Sequence, residues 1–273
     1  MVDFPANYTM KNDILAQVQQ CGALIYVIDA QQQDYESACV RLKDLIVSTS
    51  EVKPNIFYEV FIHKIDSDMF MTDDQKNDCL GDIHSTMRGL LNDYKRNFSI
   101  SFQLTSIYDH TIYEAISKVV QKLLPQQSFI SSMLDTLIQR SKIQKAFLFD
   151  VISKIYIATD SNPVNMQHYE ICSELIDVLI DVTCIYGVDE DGGGTKFDKK
   201  SSSVIRLTHQ NPQENIVLYL REVDKCLALV CLINESEISK QHLINYNIDR
   251  FKEGLKKIFE HSSDIINDHQ QNS

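Results

Sequence analysis

The chain has no tryptophan, and only five prolines and eight glycines in 273 residues. That scarcity excludes collagen-like and Pro/Gly-rich low-complexity classes. No apolar run approaches the ~20 residues a transmembrane helix needs. The longest, Ala23–Ile28 and Leu227–Ile233, are buried-strand material, so membrane association would have to come through a partner. None of the seven cysteines forms C-x-x-C, which argues against a disulfide framework and for a reducing compartment. The first residues lack a basic stretch followed by an apolar one, so no signal peptide is expected and the expected location is cytoplasmic. No face gathers Lys and Arg, and the net charge is −12, which disfavours nucleic acid and anionic membrane as direct partners. H-E-x-x-H, Cys/His zinc spacing, a calcium loop and a nucleophile elbow are all missing, so neither catalytic nor metal-ligating residues are assigned. Also missing is G-x-x-x-x-G-K-[ST], the loop whose backbone N–H groups cradle phosphates.

What is present begins with alternation of strand and helix. Gly22–Asp29 is a continuous apolar run of the kind found in parallel strands covered on both faces. Tyr35–Thr49 carries Ala38, Leu42, Leu45 and Ile46 at helical spacing. A strand over Ile56–His63 follows, and Thr72-Asp-Asp opens the next helix as an N-cap with acids in its first turn. Phe98–Leu104 reads as a third strand, and Thr111–Leu124 as an amphipathic helix stopped by Pro125. Three such units in a row imply a parallel sheet with right-handed crossovers.

After Pro125 the pattern changes. A helix over Phe129–Arg140 precedes two short runs, Lys145–Asp150 and Lys154–Ala158, close enough for a hairpin. Val164–Val182 reads as a long helix with Tyr169, Cys172, Ile176, Leu179 and Ile180 inward. Asp189–Ser203, with three consecutive glycines among charges, reads as a solvated loop. Ser203–Leu207, Ile216–Leu220 and Leu227–Ile233 have the spacing of an antiparallel meander, and Ile244–Phe259 is a final helix. The polar end from His261 is expected to fray. The expected division is 1–125, 126–262 and a tail over 263–273.

The richest chemistry lies at the end of the second strand, in His63-Lys64-Ile65-Asp66. Ligands in open α/β sheets bind outside the carboxyl ends of strands. An aspartate there can accept hydrogen bonds from the N1–H and exocyclic amine of guanine while the lysine stem packs over the base. A solvated turn is the bland alternative, and context weighs against it. Thr105-Ser106-Ile107 closes the next strand, at the place where Ras-like folds supply a backbone N–H to the guanine oxygen. The first tetrapeptide is one letter from Asn-Lys-x-Asp, the guanine-specificity motif of Ras-like GTPases. Asp3-Phe-Pro-Ala-Asn7 resembles their Asp-x-x-Gly-Gln, with Ala6 for the glycine and Asn7 for the glutamine.

Longer stretches carry a closer resemblance. Val60–Asp66, Leu104–His110, Lys118–Pro125, Lys145–Asp150, Ser153–Asp160 and Cys184–Gly187 are similar to the Rag GTPase family, RagC/RagD-type, over nearly the whole chain. The resemblance implies an α/β fold: a partial Ras-like G domain with parallel sheet, then a roadblock-type α+β domain. It implies GTP or GDP as ligand, with base-reading roles at His63, Lys64, Asp66, Ser106 and Ile107, and Mg²⁺ only where a phosphate-binding part is present. The implied partners are a RagA/B-type subunit as heterodimer, the Ragulator scaffold and the TOR kinase complex, met at the lysosomal surface. Roadblock pairs typically continue one sheet across two chains with helices packed beside it. Because the phosphate loop is missing, nucleotide binding is expected to be weak or absent and hydrolysis is not expected. The strand Gly22–Asp29 is expected to have an open edge. The alternative is a complete GTP-binding and hydrolysing enzyme whose N-terminal exon lies outside these residues.

Overall fold

A computed structural model describes residues 2–3, 17–32, 34–94, 96–186, 202–208, 215–224 and 226–271. The chain divides into two compact units, 1–115 and 116–273. Asp3 is among the described residues and exposed, whereas the rest of Asp3–Asn7, most of the loop Asp189–Ser203, and Gly187 lie outside them.

The first unit follows the expected alternation: β1 (Ala23–Asp29), α1 (Tyr35–Val52), β2 (Phe57–His63), α2 (Asp73–Leu91), β3 (Ile100–Thr105) and the start of α3 (Thr111–Leu123). The strands form a parallel sheet in the order β1-β2-β3. Tyr58, Val60 and Ile62 alternate onto one face of β2, where they meet Cys39, Leu42 and Ile46 of α1 and Cys79, Ile83 and Met87 of α2. Asp34 caps α1, its carboxylate accepting from Ser37 N–H. Thr72 caps α2 in a reciprocal box with Gln75, a partner the sequence reading passed over. Among the described residues β1 pairs only with β2, and Val27 is 59% exposed, which is the expected open edge.

Gly81 sits mid-way along α2, where an added Cβ would meet nothing within 4 Å. Glycine inside a helix loses more backbone freedom on folding than alanine does. Gly81→Ala should therefore raise stability by about 0.5–1 kcal/mol, read as a higher thermal midpoint.

The second unit is α+β. It contains α4 (Gln127–Ser141), β4 (Ile143–Asp150), β5 (Tyr156–Thr159), α5 (Met166–Tyr186), β6 (Ser202–Leu207), β7 (Ile216–Asp224), β8 (Leu227–Asn234) and α6 (Gln241–Gln271). The antiparallel sheet runs β5-β4-β8-β7-β6, so the predicted hairpin and meander join through β4–β8. Ile130, Leu134 and Leu137 of α4, with Ile248, Phe251 and Leu255 of α6, bury Leu148, Leu229 and Cys231 on one face. Tyr169, Cys172 and Ile176 of α5 bury Phe147, Phe149, Leu218 and Val230 on the other. At the centre of that second cluster Phe149 stacks on Tyr169, and Tyr156 meets both Phe147 and Tyr169 edge-on. Described cysteines are free, and Cys39, Cys79, Cys172 and Cys231 are buried.

Two boundaries differ from the sequence reading. The units divide inside α3, after Ala115, and not at Pro125. The second half of α3 binds the edge of β5: Ser117 Oγ accepts from Tyr156 N–H at 3.1 Å, and Gln121 Nε2 donates to Tyr156 O at 3.2 Å. The polar end His261–Ser273 was expected to fray, whereas α6 continues to Gln271 among the described residues. Its sequence is polar but holds no glycine or proline between Leu255 and Gln271, so nothing local stops the helix.

A buried ion pair, not expected from the sequence, lies in the second unit. Lys145 on β4 and Asp160 just past β5 are each 3% exposed, with Nζ 3.3 Å from Oδ2. Lys145 also donates to Asn162 O at 2.5 Å, while Asp160 accepts from the N–H groups of Ala146 and Asn162. Burial lowers the Lys145 pKa, and Asp160 opposes that shift. His168 nearby is also held low, first by burial and then by the Lys145 charge. Its folded pKa lies below the ordinary 6.5, so its contribution to stability is complete above pH 6.5 and is lost as pH falls below it. His168→Gln should flatten that acid loss in denaturant titrations at a series of pH values.

Candidate functional site

The register of the parallel sheet builds the site. Asp29 aligns with His63, and His63 with Thr105, so the carboxyl ends of all three strands finish level. From this row the chain turns, and Lys64 does so with φ 68°, a left-handed conformation uncommon outside glycine. That turn sets Lys64 Nζ 2.6 Å from Asp29 Oδ2. Asp29 also accepts from Gln31 N–H at 3.0 Å. Burial pushes the Asp29 pKa up, but these hydrogen bonds and the Lys64 charge outweigh it and hold the carboxyl below its usual range. Strained backbone of this kind gathers at functional sites, because a surrounding network must hold it.

His63 is half-buried, with Nδ1 3.0 Å from Thr105 Oγ1. It ties β2 to β3, a bracing position. Asp66 is exposed, and its Oδ1 accepts from Ser106 Oγ at 2.5 Å. Ser106 Oγ accepts in turn from Tyr108 N–H at 3.0 Å, and Ser106 N–H donates to Thr111 Oγ1 at 2.8 Å. Asp109 accepts from both the hydroxyl and the N–H of Thr111, anchoring the loop to the first turn of α3.

The five residues read from the sequence therefore gather at one end of the sheet and divide in role. Asp66 is exposed and its carboxylate is oriented by Ser106, an acceptor for N–H donors such as a guanine edge offers. Ser106 N–H is engaged by Thr111, and Ile107 beside it is 66% exposed. Lys64 lies against Asp29. Sequence reasoning missed Asp29, Thr105, Asp109 and Thr111. An acid closing the apolar run of β1 beside a lysine closing β2 was the one available signal.

The base end of a guanine nucleotide fits this set of donors and acceptors. For Mg²⁺ the described residues offer no group of three or more His, Cys, Asp or Glu, so no role is derived through a metal.

The profile of the Gtr1/RagA G protein conserved region matches residues 3–176. The chain belongs to this family. Ras-related GTP-binding protein C of Homo sapiens is 50% identical over 240 residues, covering 88% of this chain and 58% of that protein. GTP-binding protein gtr2 of Schizosaccharomyces pombe is 43% identical over 244 residues, covering 88% of this chain and 75% of its own length. This Rag GTPase is of RagC/RagD type, and it spans 58% of the length of that human relative. A solved structure, Myxococcus xanthus MglB, aligns with a TM-score of 0.37 at 16% identity, covering 50% of this chain and 92% of that one.

Proposed function

We propose that this Rag-family chain works by pairing. Its second unit binds a RagA/B-type GTPase subunit, and the pair docks on Ragulator at the lysosomal surface and relays amino-acid supply to the TOR kinase complex. Family membership supports the cellular part of this reading. The observation that carries the pairing is an unused edge beside an unused apolar stripe. Among the described residues β6 has a neighbour on one side only. Over it lies α5, whose inner stripe is buried but which also exposes Val178, Val182 and Ile185 at 53%, 46% and 69%. Their spacing, four then three residues, puts them on one outer face. A strand edge accepts another strand, and a helix that is apolar on two sides needs a second surface to cover it. A partner with the same architecture supplies both at once. Light scattering on this chain mixed with a RagA/B-type subunit should give a one-to-one complex, and two separate species would refute the pairing.

Nucleotide is the second part of the proposal. These 273 residues hold the base end of a guanine site and no phosphate-loop pattern, and charged phosphates supply most of the affinity in such sites. Fluorescent GDP and GTP, titrated into the pair with the partner's own site silenced, should bind no better than to an Asp66→Asn control. Saturable binding that Asp66→Asn abolishes would contradict this and return the chain to the complete GTPases.

A further inference from the structure

A second open edge lies on the far side of the first sheet, away from the base site. Between α2 and β3 runs a groove of about 470 Å3, lined by Asn77, Leu80, Gly81, His84, Ile100 and Phe102. Its floor is apolar, with the His84 ring standing edge-on to Phe102 at 5.3 Å. Among the described residues β3 pairs only with β2.

The register states what can lie there. Tyr58 N–H donates to Ser99 O, so Ser99, Ser101 and Gln103 turn their main chain toward β2. By the two-residue period of a strand, Phe102 and Leu104 turn their N–H and C=O groups outward, as Ile100 does its C=O, while Ile100 N–H donates to Phe98 O at 3.1 Å. An edge of that kind is matched by another extended backbone, with alternate side chains entering the groove. On the opposite wall Gly81 leaves space where any other residue would fill it, at a helix-interior position where glycine is otherwise unfavourable.

The rim gives the occupant a charge. Asp74 and Asp78, both exposed, stand one turn before Asn77 and Gly81, while Arg88 stands one turn beyond His84. The helix-N-terminal half of the groove is therefore acidic.

We propose that the α2–β3 groove is a docking site for an extended segment of a partner protein, a strand that pairs with β3, sets small apolar side chains on Phe102 and Leu80, and carries lysine or arginine beside Asp74 and Asp78. This surface is separate from both the base site and the α5–β6 edge.

The test uses the full chain and a fluorescein-labelled synthetic peptide, Lys-Val-Thr-Val-Thr-Val-Lys, followed by anisotropy. Saturable binding is expected. It should weaken at least about tenfold with Gly81→Arg, with alternate peptide amides N-methylated, and with glutamate in place of both peptide lysines. Gly89→Arg, at another helical position whose added Cβ meets nothing within 4 Å, should leave binding unchanged. Circular dichroism confirms that both variants keep their helices. Hydrogen exchange over residues 100–105 should slow when peptide is added. No saturation at millimolar peptide, equal binding by Gly81→Arg or by the N-methylated peptide, or unchanged exchange over 100–105 would each overturn the proposal. So would self-association of the peptide-free chain that Gly81→Arg abolishes, because the occupant would then be a second copy.

Discussion

Lys145→Met will cost the second unit about 3–5 kcal/mol, a large share of the 5–15 kcal/mol that typically holds a domain folded. The methionine fits the space of the lysine stem, so packing is nearly kept. What is lost is the cation, and Asp160 remains as a carboxylate 3% exposed, held by the Ala146 and Asn162 N–H groups. Asp160→Asn leaves the complementary fault, a buried ammonium whose pKa burial already lowers. Removing both charges in Lys145→Met/Asp160→Asn should recover much of the loss, because the larger penalty is an unpaired buried charge and not the absence of the pair. Urea unfolding of the three variants, with the slope checked for constancy, measures this. A loss under about 1 kcal/mol for Lys145→Met would mean that water reaches Asp160 and that the pair is not buried.

Charge on the outer stripe of α5 will have its largest effect on association and little on folding. Val178→Asp with Val182→Asp places two carboxylates where the proposed partner covers apolar surface. Centrally buried anchors in such interfaces cost 2 kcal/mol or more each when removed, so affinity for a RagA/B-type subunit should fall by roughly a hundredfold or more. Because these side chains are 53% and 46% exposed in the isolated chain, its thermal midpoint should move little. Titration calorimetry and thermal unfolding on the same variant separate the two effects. Unchanged affinity would place the partner elsewhere.

The parts of the fold that local pattern decides were legible in the sequence. Ala23–Asp29 announces a parallel strand because every residue up to the closing aspartate is apolar, although as an edge strand only Ile28 in it is buried, and Thr72 announces a helix start because a hydroxyl before two acids satisfies free N–H groups. The antiparallel second sheet was legible as spacing, but its central β4–β8 pairing joins segments some eighty residues apart and leaves no local trace. The Lys145–Asp160 pair spans 15 positions and was hidden because its members look like ordinary strand-end charges. At the site, His63, Lys64, Asp66, Ser106 and Ile107 could be read from short motifs. Their bracing could not: Asp29 reaches Lys64 across 35 positions, and the Thr111 hydroxyl takes Ser106 N–H. The division inside α3 escaped notice because Pro125 ends a helix whose allegiance had already changed at Ser117, through contacts with β5.

Hydrogen exchange of the full chain, alone and with a RagA/B-type subunit, tests the central claim most directly. Pairing through the second unit predicts slowed exchange over β6, residues 202–207, and over the end of α5, residues 176–186, in the same sample. Binding that leaves both segments unchanged, or no binding at all, would contradict it.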